Sequence, residues 1–179
     1  EIKERNQDCI LFFFFFYFYE MFDEDARVAA KELDLTLTTR DRNKPKEEQT
    51  PMCGVPYHSV DSYIARLVAK GYKVAICEQM EDPAAAKGIV ERDITRIVTP
   101  GTVTESCMLE ESKNNYMGCL FAENSRFGLA FCDVSTGAFY VTVCADSQAA
   151  ASELGRFAPT EVIRYGKADD DDMYMRFAA

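Results

Sequence analysis

One histidine, His58, and seven scattered cysteines leave this chain of 179 residues poor in metal ligands. A single imidazole excludes a multi-histidine metal site. The cysteines, at positions 9, 53, 77, 107, 119, 132 and 144, are odd in number and never spaced CxxC. They read as reduced structural thiols of a cytosolic protein, not as a zinc site or a disulfide framework. Also missing are a GxxxxGK[ST] phosphate loop, a nucleophile–base pair and an acidic metal cluster, so the chain reads as a binding module and not an enzyme. The longest apolar run, Ile10–Phe22, is thirteen residues, short of the roughly 20 that a membrane span needs. It runs into Asp23-Glu24-Asp25 where a signal peptide would have small residues and a cleavage site. Finally, there is no basic excess: 20 Lys and Arg stand against 30 Asp and Glu, a net charge of −10. A general nucleic-acid coat protein needs a basic footprint. Divided near residue 104, the first part has 14 basic and 18 acidic residues and the second 6 and 12. Any contact with DNA is therefore local, or most phosphate contacts come from elsewhere.

What remains is 47% hydrophobic and 28% charged, enough apolar material for one large globular domain or two modest ones. The chain begins at Glu1, without Met, and is expected to be a piece of something longer. Its most distinctive stretch is the same apolar run, ILFFFFFYFYEMF, with five consecutive phenylalanines and one charge, Glu20. Short, aromatic and bounded by charge, most of it predicts a buried strand. A carboxylate buried there without a partner would be costly, so Glu20 should be exposed or hydrogen-bonded. Phe18 and Glu20 then offer a flat apolar blade beside an acceptor, a combination suited to a nucleic-acid base. The plainer alternative is that the run is core and Glu20 a solvated edge residue.

Around this stretch the periodicity predicts an α/β chain. Charged Glu1 to Asp8 reads as the end of a helix leading into the sheet. Glu24 to Leu35 is a helix with Ala26, Ala29, Ala30 and Leu33 on one face and Asp23 as N-cap. Thr36 to Thr39 is a short strand. Arg40 to Thr50 is a polar loop whose Arg40, Arg42, Lys44 and Lys46 would position a phosphate backbone without reading sequence, or simply be solvated. Pro51 to Ser59 is a tight turn ending in a cap for a helix over Val60 to Lys70, with Tyr63, Ile64, Leu67 and Val68 as its stripe and Gly71 as its stop. Strands follow at Tyr72 to Cys77 and, after a loop around Lys87-Gly88, at Asp93 to Thr99.

A boundary is expected between Pro100 and Lys113. Beyond it, Tyr116 to Ala122, Gly128 to Asp133 and Gly137 to Cys144 read as an antiparallel meander, with turns at Glu123 to Phe127 and Val134 to Thr136. Ser147 to Phe157 is a helix and Glu161 to Tyr165 a strand. This order resembles the opening half of a ribonuclease H-like fold. Asp133 sits where such a fold could hold a metal-binding carboxylate, but no complete acidic cluster surrounds it, so a structural role is preferred. The acidic run Asp169 to Asp172 reads as solvated.

Several blocks in this order resemble the N-terminal part of the MutS family of DNA mismatch recognition proteins: Phe18-Tyr19-Glu20-x-Phe22, Pro51-Met52-x-Gly54-Val55-Pro56-Tyr57-His58, Val74-Ala75-Ile76-Cys77-Glu78-Gln79, Arg96-Ile97-Val98-Thr99-Pro100-Gly101-Thr102 and Asp133-Val134-Ser135-Thr136-Gly137. The resemblance implies a mismatch-recognition domain over residues 1–105, a mixed sheet flanked by helices. A linker over 106–112 and the first part of a ribonuclease H-like α/β connector domain over 113–179 would follow. It assigns Phe18 as the wedge that enters the minor groove and stacks on a mispaired base, and Glu20 as the group that hydrogen-bonds that base. Tyr19, Arg40, Arg42, Lys44, Lys46, Tyr57, His58, Arg92 and Arg96 are candidate backbone contacts. In the other readings His58 is a turn residue, and Arg92 and Arg96 are strand-edge salt bridges.

By the same resemblance the partner is double-stranded DNA carrying mismatches or small insertion/deletion loops. MutL would be engaged through the connector, with a homodimer in the full-length protein, in the bacterial cytoplasm. No cofactor is expected on this stretch; ATP and Mg2+ belong to a C-terminal ATPase domain. One departure stands out. Where the family reads basic-x-Gly-acidic before the Phe-Tyr-Glu block, this chain has Phe14, Phe15, Phe16 and Tyr17. Rival readings are a metal-dependent nuclease using Asp133 and a structural interaction domain with the phenylalanines as core.

Overall fold

In a computed structural model, which describes residues 2–81, 90–110, 112–123 and 126–165, the phenylalanine run is not one strand but a hairpin. Strand β1 (Cys9–Phe15) reverses through Phe16 and Tyr17 into β2 (Phe18–Phe22), with Phe15 opposite Phe18 and Phe13 opposite Glu20. Hydrophobicity is continuous through the turn, so no polar residue marks the reversal. The chain divides into two units, Glu1–Thr99 and Pro100–Ala179. The loop expected around Lys87-Gly88, the acidic run Asp169 to Asp172 and the middle of the Glu123 to Phe127 turn lie outside the described residues.

The first unit is a six-stranded mixed sheet. Besides the hairpin it has β3 (Thr38–Thr39), β4 (Pro51–Pro56), β5 (Lys73–Gln79) and β6 (Arg92–Val98), with helices α1 (Ile2–Arg5), α2 (Asp23–Leu33) and α3 (Val60–Val68). The order is β3-β4-β2-β1-β5-β6, and β1 and β5 at its centre run parallel. Strands covered on both sides are apolar without alternation. Accordingly Cys9, Ile10, Leu11 and Phe12 are buried one after another in β1, as are Val74 to Cys77 in β5. Burial pushes the thiols of Cys53 and Cys77 up to about 11, so both stay protonated and inert at neutral pH.

Helix α2 lays Ala26, Ala29 and Leu33 on the face of Met21 and Cys53. The small alanines let it come close enough for the Cys53 thiol to donate to the Ala26 carbonyl at 3.4 Å. It begins one residue earlier than the sequence suggests: Asp23 lies inside it and Phe22 holds the cap position with no side-chain acceptor. Ser59 does precede α3, but its hydroxyl donates backwards to Pro56 and not to the helix. A further correction concerns Pro51 to Pro56. It is a strand, not a turn, because its prolines fall at the two ends, where a missing N–H is tolerated, while Cys53 and Val55 point into the core. The turn that follows, Tyr57–Ser59, is a single 3-10 turn.

In the second unit, β7 (Met117–Glu123), β8 (Arg126–Asp133) and β9 (Ala138–Cys144) form the meander. The strand β10 (Glu161–Tyr165) returns parallel to β7 after helix α4 (Ser147–Phe157), giving the order β10-β7-β8-β9. The strict alternation of β8 places Phe127, Leu129 and Phe131 against α4, where Phe157 stacks on Phe131 with ring centroids 4.1 Å apart. The Asp146 carboxylate caps α4 by accepting from the Ala149 N–H at 2.8 Å. Both units are α/β, as the sequence predicts.

Candidate nucleic-acid interface

Strand alternation decides which residues of β1 and β2 share a side. Helices α2 and α3 cover the face that carries Phe12, Tyr19, Met21, Cys53 and Val55. The opposite face carries Phe13, Phe15, Phe18, Glu20 and Phe22 from the hairpin, with Gly54 opposite Glu20 on β4. Phe18 and Glu20 are thus on one surface, two residues apart, beside the hairpin tip. From Phe12 to the hairpin tip the rings pass from buried to exposed. Phe12 is fully buried and Phe13 to Phe15 are half-buried, whereas Phe16, Tyr17 and Phe18 are 81%, 71% and 47% exposed. The run is therefore core towards both ends and free surface at the tip between them, so neither reading of it as a whole holds.

The tip carries strain. Phe16 has φ of 55°, and among the described residues only Asp23, Asp34 and Ala158 share that sign without being glycine. A positive φ at the first of two loop residues is where a type II′ hairpin places glycine. The family pattern has its Gly at this position, which gives that Gly a physical reason. Tyr17 beside it is hydrogen-bonded through its carbonyl to the Tyr57 N–H at 2.9 Å, and the two rings stand 6.3 Å apart. Tyr57 is half exposed and His58 stands edge-on to it at 5.8 Å, so this aromatic group borders Phe18.

Glu20 has the partner its surroundings demand. Its side chain is only 16% exposed and its Oε2 accepts from the Arg40 guanidinium. That guanidinium also lies over the Phe15 ring at 4.4 Å and the Phe22 ring at 5.4 Å. Arg92 approaches Phe15 as well, at 4.2 Å; its Nη1 donates to the Val90 carbonyl while its Nε is buried with no hydrogen-bond acceptor. Gly54 leaves the space that Glu20 uses: a Cβ there would stand 3.4 Å from Glu20 Cγ and 3.2 Å from the Tyr19 carbonyl oxygen. Sequence reasoning named Arg40 and Gly54 but did not connect either to Glu20. The signal was an apolar-flanked carboxylate in need of a cation.

The other candidates divide. Tyr19 projects to the helix-covered face and donates its hydroxyl to Glu78 at 2.5 Å. Burial first, and then that bond, raises its pKa well above the ordinary tyrosine value. It is therefore not placed with Phe18 and Glu20. Arg42, Lys44 and Lys46 are exposed on the loop after β3, Lys44 in a surface pair with Asp41 at 3.3 Å. Arg96 is exposed on the edge strand β6. A groove of about 940 Å³ lined by Leu11, Phe13 and Ile94 carries charges of both signs, Lys3, Arg5 and Arg92 among its acidic residues.

Asp133 is buried, and both of its oxygens accept hydrogen bonds. Oδ1 accepts from the Ser135 N–H and hydroxyl at 2.9 and 2.6 Å and from the Thr136 N–H at 3.3 Å, while Oδ2 accepts from the Asn115 N–H at 3.1 Å. Burial alone would raise its pKa, but those hydrogen bonds outweigh it and hold the carboxyl below 3.8. The residue ties the turn at Ser135 and Thr136 to the backbone of Asn115. Among the described residues no three His, Cys, Asp or Glu side chains converge as a metal site, and no helix is long and apolar enough to cross a membrane.

The sequence model of MutS domain I matches residues 1–107 and that of MutS domain II matches residues 115–177. Among relatives, the DNA mismatch repair protein MutS of Acetivibrio thermocellus is 52% identical over 175 residues, 96% of this chain and 20% of its own. Those of Clostridium novyi and Clostridium tetani are 53% and 54% identical, over 95% and 91% of this chain and 19% and 18% of theirs. The chain spans about a fifth of the length of these curated relatives.

Proposed function

This chain belongs to the MutS family, and from that premise we propose that its first unit recognises mispaired or unpaired bases in duplex DNA through Phe18 and Glu20. The observation that carries the proposal is their shared placement: an exposed ring and a hydrogen-bonding carboxylate on one face of β2, at the free end of a hairpin. An apolar wedge inserted from the minor groove costs a few kcal/mol of unstacking per step and kinks the duplex. A mispaired base has already lost part of its pairing and stacking, so the same deformation is cheaper there. Discrimination then rests on deformability and not on a base code, which suits a protein that must accept many different mispairs.

Glu20 supplies the acceptor for the displaced base. On normal duplex the same carboxylate meets phosphate with no base to bond, which disfavours matched DNA. Arg42, Lys44 and Lys46, exposed on the neighbouring loop, are proposed to hold the backbone in register. The stretch is proposed to act without catalysis. The residues present do not fit ATP and Mg2+: the sequence has no phosphate loop. Nucleotide chemistry, homodimer formation and engagement of MutL are proposed for the longer protein, the last through the unit that begins at Pro100. Work in the bacterial cytoplasm, on chromosomal DNA, goes with the same reading.

The test is binding of the full-length protein carrying this sequence to a duplex with one unpaired thymidine and to its matched homoduplex. Phe18→Ala should remove most of the preference for the unpaired base. A preference unchanged by Phe18→Ala would overturn the reading and leave the tip aromatics as surface only.

A further inference from the structure

The Glu20 carboxylate is paired by Arg40, which lies outside its own hairpin. Arg40, at the end of β3, binds Oε2. The Arg40 guanidinium is in turn fixed by lying against the rings of Phe15 and Phe22, which flank Glu20 along the same sheet face. Gly54, directly opposite Glu20, leaves the room that this arrangement occupies. An arginine spread over aromatic rings loses less freedom on pairing than a solvated one, because its planar fork is already oriented. The result is a carboxylate with one oxygen engaged and the other still able to accept.

We propose that Arg40 is a positioning residue that fixes Glu20 for the base it bonds, and so sets mismatch selectivity through Glu20 and not through phosphate. This rests on the assignment of Phe18 and Glu20 above. Preorganisation matters because a free glutamate would have to be ordered at the moment of binding, a cost charged to the mismatched complex alone. A phosphate contact would act differently. It would strengthen matched and mismatched DNA alike and add about one to the salt slope.

The experiment is a double-mutant cycle on the full-length protein with Arg40→Gln, Glu20→Ala and both together, reading the ratio of affinities for unpaired-thymidine duplex over homoduplex at several salt concentrations. Coupled neighbours commonly differ by about 1 kcal/mol, or roughly fivefold. The expected result is that Arg40→Gln lowers the ratio by about that factor when Glu20 is present and leaves it unchanged when Glu20 is Ala, with the salt slope constant. Equal weakening on both duplexes, with a shallower salt slope in either background, would overturn the proposal and make Arg40 a phosphate contact. Arg40→Lys, which keeps the charge but loses the planar fork and its ring contacts, should restore less than half of the lost selectivity on a logarithmic scale; full restoration would also overturn it. Phe18→Ala is run in parallel. If that variant keeps its selectivity, the site assignment has failed; if it loses selectivity while the cycle shows no coupling, only the role of Arg40 has.

Discussion

Tyr19 and Glu78, 59 residues apart in sequence, meet across the central strand with their oxygens 2.5 Å apart. Tyr19 sits between the two proposed DNA-contacting residues in sequence but on the other side of the sheet from both. Tyr19→Phe should therefore destabilise the first unit by about 1–2 kcal/mol, the worth of a hydrogen bond to a charged acceptor, while leaving mismatch selectivity intact. Because its pKa is raised from 10.0, the stabilisation is fully present below pH 10 and is lost as pH rises further, through the folded value. Denaturation curves of the two proteins should accordingly converge in alkali. A constant gap from pH 7 to the alkaline limit would contradict the assignment.

Phe16→Gly should make the hairpin more stable. A left-handed φ costs a non-glycine residue roughly 1–2 kcal/mol, and part of that gain is offset by the greater freedom of glycine in the unfolded chain. A net stabilisation of about 0.5–1 kcal/mol is expected in urea titrations. The mostly exposed Phe16 ring has little packing to lose. A destabilised variant would mean that this ring holds the tip together.

Gly54→Ala should act on recognition through crowding. Its methyl group would stand 3.2 Å from the Tyr19 carbonyl oxygen and 3.4 Å from Glu20 Cγ, and strand β4 must shift or Glu20 must turn. Overpacking of this kind costs about 1–2 kcal/mol. Thermal melts should show that loss, and the unpaired-thymidine preference should fall with it. Unchanged preference would show that Glu20 adjusts freely.

The two halves of this picture were unequally legible in the sequence. Helix α4 and strand β10 were readable to the residue, because Asp146 caps one and turn residues bound the other. The hairpin was not, since its reversal at Phe16 and Tyr17 uses none of the Gly, Asn or Asp residues that signal a turn. Pro51 to Pro56 looked like a turn because of its prolines, whose harmless position at the strand ends is visible only when pairing is known. Of the site, Phe18 and Glu20 were recoverable from their block. That Arg40 completes Glu20 depends on β4 pairing with β3 on one side and β2 on the other, and no local periodicity reports such an arrangement.

Asp133→Ala should cost the second unit about 2–4 kcal/mol, since four donor groups of Asn115, Ser135 and Thr136 lose a buried acceptor. The hydrogen bonds that it accepts hold the wild-type carboxyl below the ordinary carboxylate range. Its contribution is therefore complete above about pH 4 and is lost as pH falls through the folded value. Acid denaturation followed by circular dichroism should show that step in the wild type and not in Asp133→Ala. Magnesium-dependent DNA cleavage by the wild-type protein, lost in the variant, would instead support a nuclease role.

The parallel pairing of β1 with β5 joins Cys9–Phe13 to Lys73–Cys77, so the aromatic strand is made long before its central neighbour exists. At the ribosome, where about 5–20 residues are added each second, some sixty intervening residues correspond to a wait of roughly 3–12 s. Throughout that wait the hairpin has β2 on one side and nothing on the other. An unpaired edge rich in phenylalanine invites intermolecular pairing. During synthesis that edge of β1 thus stays open to other chains until β5 arrives.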